Sequence, residues 1–371
     1  MAAGSAINKL KLDLQVLLDK GELWWRQWAK EEWLRYGDRN TKYYHACANS
    51  KRRRNHVGMI KDEMGQVWDT AEGVGGAFVH YYTRLFAMEP AGDFTPCIQP
   101  LECSVSDDMN AELVKPFMAE EITNALFQMG PLKAPGPDGL NACFFQKNWS
   151  LMGKEVCDVV LEILNSGVLP HELNLTYVAL IPKTHNPTSM TEFRPISLCN
   201  VLYKIISKVL ANRLKKILHL IISPSQSAFI PGRLISDNVL ATYESLHTMH
   251  TGMWGKKGFM AVKLDMSKAY DRVELGFLEA VMRRMGFNEK WISLVLMCVK
   301  SVRYSIIVNG NPSGHIIPSR GIRQGDPISP YLFLLSAEAL SAMLIKANRD
   351  GLLSGVPTLK GGPEISHFFH R

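Results

Sequence analysis

Two carboxylates stand six residues apart in K-L-D-M-S-K-A-Y-D, with Asp265 closing the apolar run 259–262 and Asp271 ending the stretch. A carboxylate at the end of a buried strand is costly unless it is solvated, paired or bound to a cation. Such a carboxylate can hold Mg²⁺, a hard ion that takes a few carboxylates plus substrate oxygens. In two-metal phosphoryl or nucleotidyl transfer, the ions activate the attacking oxygen and steady the leaving group. The plainer reading of Asp265 alone is a solvated strand end or a helix cap. Tyr270 could floor a nucleotide site or simply be an aromatic at a helix entry. Asp271 suits the start of the following helix, where unpaired N–H groups favour an anion.

Three other places offer cations or donors. Lys183 and Arg194 flank a turn between two apolar segments, and either could meet phosphate oxygens or stand as a solvated surface charge. The run S-R-G-I-R-Q-G-D-P-I-S packs Arg320, Arg323 and Gln324 around Gly321 and Gly325. Its glycines permit close backbone approach to a ligand, and Gln324 can donate or accept. It fits neither the Walker A nor the dinucleotide pattern. Lys51, Arg52, Arg53 and Arg54 form a basic cluster after a Trp-rich stretch holding Trp24, Trp25, Trp28 and Trp33. Aromatics mixed with basic residues can meet bases and phosphates, or the tryptophans can pack on a neighbouring helix. His367 and His370 lack the company of an H-E-x-x-H helix, which argues against a zinc protease.

The elements that must carry these residues read as a mixed α+β chain. One or two helices are expected from Trp24 to His56, a small hairpin over 57–69 and a helix through V-G-G-A-F-V-H-Y-Y-T-R-L-F. Residues 89–106, with Pro90, Gly92, Pro96 and Pro100, read as a linker or surface loop. Helices are expected at A-E-E-I-T-N-A-L-F-Q-M-G, near 150–165 and over about 200–219. Strands are expected at 175–183 and 259–265. After 259–265 a helix continues into W-I-S-L-V-L-M-C-V-K-S, then come a hairpin across Asn309-Gly310 and a helix begun by Pro330.

The totals permit this and exclude little. The chain has 371 residues, 46% hydrophobic, with 42 Lys+Arg against 35 Asp+Glu. That length supports a sizeable core in more than one domain, and the charge of +7 allows polyanion binding without requiring it. The seven cysteines contain no C-x-x-C pair, so neither structural zinc nor a disulfide scaffold is expected. No secretory signal and no membrane-length run stand out, so an intracellular soluble protein is expected, with nucleus and cytoplasm indistinguishable.

Taken in order, K-A-P-G-P-D-G (133–139), L-I-P-K (180–183), F-R-P-I-S-L (193–198), Q-S-A-F-I-P-G-R (226–233), L-D-M-S-K-A-Y-D-R-V-E (264–274) and R-G-I-R-Q-G-D-P-I-S-P-Y-L-F (320–333) resemble the reverse transcriptases of plant LINE-type, non-LTR retrotransposons. The resemblance covers roughly residues 20–370. It implies a right-hand polymerase fold that copies an RNA template from a DNA primer with Mg²⁺. By resemblance, Asp265 is the first catalytic, metal-binding aspartate, and Tyr270 lies under the incoming sugar. Arg194 and Lys183 belong to the fingers that meet the triphosphate or template. Arg323, Gln324 and Gly325 belong to the loop that positions template and primer. Residues 1–88 then form a helical basic region, 89–106 a linker, and 107–371 the fingers and an incomplete palm, with the thumb absent.

The chain departs from that pattern at its end. Family members continue I-S-H-L-F-F-A-D-D, whereas residues 365–371 read I-S-H-F-F-H-R, without the paired aspartates. Leu275 stands where the family usually has Trp. One carboxylate poorly neutralises two cations and a polyphosphate. The expectation is therefore a reverse transcriptase by ancestry with little or no polymerase activity. The alternatives are a non-enzymatic nucleic-acid-binding remnant and a protein-interaction scaffold.

Overall fold

In the computed structural model, residues 9–21, 41–89, 92–251, 259–357 and 364–368 are described. The expected helical surface of Trp24, Trp25, Trp28 and Trp33 lies outside them, as does His370. The chain divides into two compact units, Met1–Ala77 with Leu180–Arg194 and Ile307–Asn311, and Phe78–Ala179 with Pro195–Ile306 and Pro312–Arg371. The chain therefore enters the first unit three times, where its sequence reads as consecutive segments.

In the first unit, α1 spans 9–21 and α2 spans Thr41–Asn55, ending in Arg52, Arg53 and Arg54. The hairpin of β1 (Ile60–Lys61) and β2 (Val67–Trp68) follows as expected. Asp62 makes its turn: the carboxylate accepts from the Met64 and Gln66 N–H groups at 2.9 Å and from the Trp68 indole at 3.2 Å. Those bonds hold the Asp62 carboxyl below its ordinary pKa, although burial opposes them. Where the chain leaves α2, the Asn309 side chain accepts from the Val57 N–H and donates to the Val57 carbonyl, both at 2.9 Å.

The larger unit is built on helices. They are α3 (Ala71–Leu85, entering at Phe78), α4 (Thr95–Ile98), α5 (Asp107–Val114), α6 (Ala119–Phe127), α7 (Ala142–Lys147), α8 (Trp149–Ser166), α9 (Val201–Ile221), α10 (Ile235–His250), α11 (Leu275–Arg284), α12 (Glu289–Lys300) and α13 (Ser329–Arg349). Its core joins Ile122, Leu126, Val160, Ile206, Leu278 and Trp291, which are essentially inaccessible to solvent. α9 threads that core, and its Arg213 binds the α5–α6 connection. The guanidinium donates to the Leu113, Lys115 and Pro116 carbonyls and to Glu121, and lies 3.7 Å from the Phe117 ring centre.

A four-stranded sheet has the order β4-β3-β5-β6, with β3 Leu175–Pro182, β4 Phe193–Cys199, β5 Arg303–Val308 and β6 Asn311–Ile316. The β5–β6 hairpin turns at Asn309 and Gly310, both at positive φ (52° and 91°), the conformation that favours an Asn-Gly pair. A further two-stranded pairing joins β7 (Val356–Pro357) to β8 (Glu364–Ile365).

Three expectations are corrected. Residues 259–265 form no strand: the segment pairs with none of the four strands, and Met260, Val262 and Leu264 are exposed. β-forming composition needs a neighbour to become a strand. The helix of 275–300 is two helices, broken where Gly286 takes φ +90° and a Cβ would stand 2.5 Å from the Cys103 sulfur. In the 89–106 segment, Leu101 and Val105 are buried and the Ser104 and Val105 N–H groups donate to the Met285 carbonyl. Finally, α13 is long and apolar enough to cross a membrane, at mean hydropathy 1.3. Its Leu332 and Leu335 are buried in the core. All seven cysteines are free thiols.

Candidate functional site

Within the larger unit, two segments singled out by sequence lie side by side. The Glu274 and Arg320 backbones form an antiparallel bridge. The Gly321 N–H donates to the Val273 carbonyl and the Ile322 N–H to the Tyr270 carbonyl, each at 2.8 Å. Gln324 Nε2 reaches the Asp271 carboxylate at 3.3 Å. Gly321 is required here, because φ is +94° and a Cβ would meet the Asp271 carbonyl oxygen at 2.8 Å. The loop carrying Gln324 is thus laced to the turn carrying Tyr270.

The same loop is tied to β4. The Ser197 N–H donates to the Gln324 carbonyl at 2.8 Å. Gly325, at φ +104°, brings its backbone so near Ser197 that a Cβ would sit 3.3 Å from that carbonyl oxygen. Tyr270 is half-buried and stacks on Phe333 of α13, with ring centres 5.0 Å apart and planes 14° from parallel. Burial pushes its phenol pKa up, so the ring presents a neutral hydroxyl. Lys268, at φ 53°, places its ammonium 4.4 Å from the Tyr81 ring centre.

Asp271 does not cap α11. That helix is preceded by Glu274 without a side-chain cap, and Asp271 sits in a 3-10 turn over Tyr270–Arg272, almost fully buried. Its carboxylate serves the Gln324 contact from inside.

Arg323 also points inward. Its guanidinium donates to Asn174 Oδ1 at 2.5 Å, Thr176 Oγ1 at 3.2 Å and the Cys298 carbonyl at 2.9 Å, and it lies 3.9 Å from the Tyr203 ring centre. It pairs with the Asp326 carboxylate at 2.9 Å, and both side chains are inaccessible to within 2%. Asp326 also accepts from the Tyr203 hydroxyl at 2.5 Å and from the Ser207 hydroxyl. Burial would lower the Arg323 pKa, yet Tyr203 and Asp326 hold it above the ordinary arginine value. This arginine shapes the loop from beneath. Sequence reading left out Asn174 just before β3, Thr176 in β3 and Tyr203 in α9, which meet Arg323, and Ser207 of α9, which bonds Asp326.

Asp265 is exposed and lies in the unpaired segment before Tyr270. Among the described residues, no group of three or more His, Cys, Asp or Glu could hold a metal ion. Asp326 is consumed by Arg323. Among the described residues, the donor set therefore does not fit a pair of Mg²⁺ ions. In the first unit, Lys183 and Arg194 are exposed on either side of the turn through the 3-10 segment Met190–Glu192. The Lys183 N–H donates to the Glu192 carbonyl at 2.8 Å, and its ammonium to the Thr191 carbonyl at 2.9 Å. Arg52, Arg53 and Arg54 are exposed in the last turn of α2, with Lys51 beside them half-buried.

The mixed α+β architecture is consistent with a reverse-transcriptase-like fold bearing fingers and palm elements. Residues 181–360 match the family described as reverse transcriptase (RNA-dependent DNA polymerase). The chain is 29% identical over 332 residues to the transposon TX1 uncharacterized 149 kDa protein of Xenopus laevis, covering 87% of this chain and 24% of that protein. It is 31% identical over 212 residues to the Pol polyprotein of the type-2 retrotransposable element R2DM of Drosophila melanogaster, covering 56% and 19%. A probable RNA-directed DNA polymerase from transposon BS, also of Drosophila melanogaster, is 27% identical over 233 residues, covering 59% and 24%. Residues 181–360 are thus similar to reverse transcriptases, and the chain is similar to proteins of the animal TX1 and R2 elements. It spans a quarter or less of the length of these relatives.

Proposed function

We propose that the chain supplies the fingers and part of the palm of an RNA-directed DNA polymerase, and that it engages an RNA template and DNA primer without performing nucleotidyl transfer unaided. The binding half rests on the laced loop of Gln324 and Gly325 beside Tyr270, an arrangement that offers a rigid backbone edge and an aromatic floor. The catalytic half rests on Asp265, which has no second carboxylate to share a cation among the described residues. Lys183 and Arg194 act as the fingers' phosphate contacts, and Lys51, Arg52, Arg53 and Arg54 as sequence-independent nucleic-acid contacts. Residues 1–88 serve as a basic region ahead of the polymerase portion at 107–371, with 89–106 joining them. The chain derives from a plant LINE-type element, on the resemblance of its motifs, and acts inside the cell.

The test is primer extension on an RNA template with Mg²⁺ and deoxynucleotides, run beside anisotropy of the same labelled hybrid. Binding without extension is the expected result. Extension that Asp265→Asn abolishes would overturn the catalytic half, and absence of binding by folded protein would overturn the other.

A second reading has its own observation. The exposed apolar segment 259–266 and the exposed Leu240 and Tyr243 of α10 would suit a protein partner. Salt-insensitive protein binding without nucleic-acid affinity would favour it.

A further inference from the structure

α9 is buried along most of its circumference, yet one narrow face of this core helix carries Lys204, Lys208, Asn212 and Lys215. The spacings of four, four and three residues run straight along the axis. Eleven residues bring Lys215 to within about 20° of Lys204 around the helix and about 16 Å further along it. None of the three lysines forms a salt bridge among the described residues. Lys204 donates only to the Ala134 carbonyl, at 3.2 Å, in the K-A-P-G-P-D-G loop. That loop is seated on the start of α9, since a Cβ on Gly136 would meet the Asn200 backbone nitrogen at 2.4 Å.

Such a stripe is unfavourable by itself. Like charges four residues apart on a helix repel, and partial burial strips water from the ammonium groups. Burial draws the Lys204 and Lys208 pKa values below the ordinary lysine value. The Lys215 charge adds to that effect at Lys208, while Asp138 and Asp326 offset it at Lys204. An arrangement that costs folding energy in isolation is relieved by a row of external negative charges at matching spacing.

We propose that Lys204, Lys208, Asn212 and Lys215 form a track along α9 for the phosphate backbone of one nucleic-acid strand. About 16 Å is the axial rise of about five nucleotides of one strand, and successive lysines meet successive or alternate phosphates. Asn212 supplies an amide donor to phosphate or sugar between them. The stripe holds no aromatic and no arginine, so it reads charge and spacing rather than base identity. This rests on the nucleic-acid-binding reading above and assigns it a surface separate from the basic end of α2.

The experiment compares the intact chain with Lys208→Gln/Lys215→Gln by anisotropy of a fluorescein-labelled RNA–DNA hybrid across a salt series. The double variant is expected to bind more weakly on every sequence, with a salt slope shallower by about two. Lys208→Arg/Lys215→Arg should keep the slope. Lys216→Gln, on the side of α9 that feels Glu112, should leave it unchanged. Wild-type binding with an unaltered slope in the double Gln variant would overturn the track while leaving the nucleic-acid reading intact. An equal loss in Lys216→Gln would reduce the stripe to net charge and overturn it too. Failure of the wild type to bind at all would overturn both.

Discussion

Asp326→Asn tests whether the glycine-rich loop is held from inside. The carboxylate has no solvent access, and four donors converge on it: Arg323 at 2.9 Å, the Tyr203 hydroxyl at 2.5 Å, the Ser207 hydroxyl and the Ile328 N–H at 3.3 Å. An amide offers one acceptor oxygen in place of two and turns an NH₂ toward donors. It also leaves the Arg323 charge buried with neutral partners only. Removing one member of a buried ion pair costs about 3–5 kcal/mol. At a urea dependence of about 2–3 kcal/mol/M, the unfolding midpoint should fall by about 1–2 M. The fluorescence of Trp291, buried in α12 of the same unit, reports the transition. The paired change Arg323→Met/Asp326→Leu should cost less than Asp326→Asn alone, because it leaves no orphaned charge. A midpoint shift under about 0.3 M for Asp326→Asn, or a paired variant less stable than the single one, would refute the reasoning.

Gly321→Ala should destabilise the chain by more than about 1 kcal/mol and expose the 319–326 loop to limited proteolysis, since the added methyl meets the Asp271 carbonyl at a backbone angle alanine resists. His367 is held near Ser341 and Ser225, at 3.0 and 3.3 Å, where burial lowers its pKa below the ordinary histidine value. The folded state therefore binds fewer protons there than the unfolded state, so stability should fall as pH drops below about 6.5. Urea midpoints from pH 7.5 to 5 should fall less steeply for His367→Gln than for the wild type. Cys298 and Cys199 should resist a thiol reagent in the native state while Cys103 reacts, because burial pushes the Cys298 thiol up to about 12 and Cys199 up as well. Modification counts by mass spectrometry with and without denaturant would check this.

Local signals were the legible part of the fold. The Asn309-Gly310 hairpin, the β1–β2 turn and the long apolar face of α9 follow from spacing and turn chemistry alone. Residues 259–265 mislead because an apolar run describes a strand only when another strand accepts its hydrogen bonds. Gly286 misled because a left-handed break between two apolar helices looks in sequence like any other glycine. At the candidate site, Tyr270, Gln324 and Gly325 come together, while Lys183 and Arg194 belong to the other compact unit. Arg323 reads as a ligand-facing cation beside two glycines. Its true partners are non-local: Asn174 lies 149 positions away, and Tyr203 lies 123 positions from Asp326. A buried ionic knot of that kind announces itself in no single stretch of chain.

The tip of the β5–β6 hairpin carries a narrower lesson. At Asn309 one side-chain amide occupies both the donor and the acceptor of Val57, doing for that residue what a neighbouring strand would do. The same residue holds φ 52°. Two independent filters therefore act on one position. Aspartate tolerates the angle but has no hydrogen to give, glycine takes the angle but has no amide, and glutamine has the amide on a stem one carbon too long. Asparagine alone passes both, so this surface turn is as chemically exacting as any position in the core.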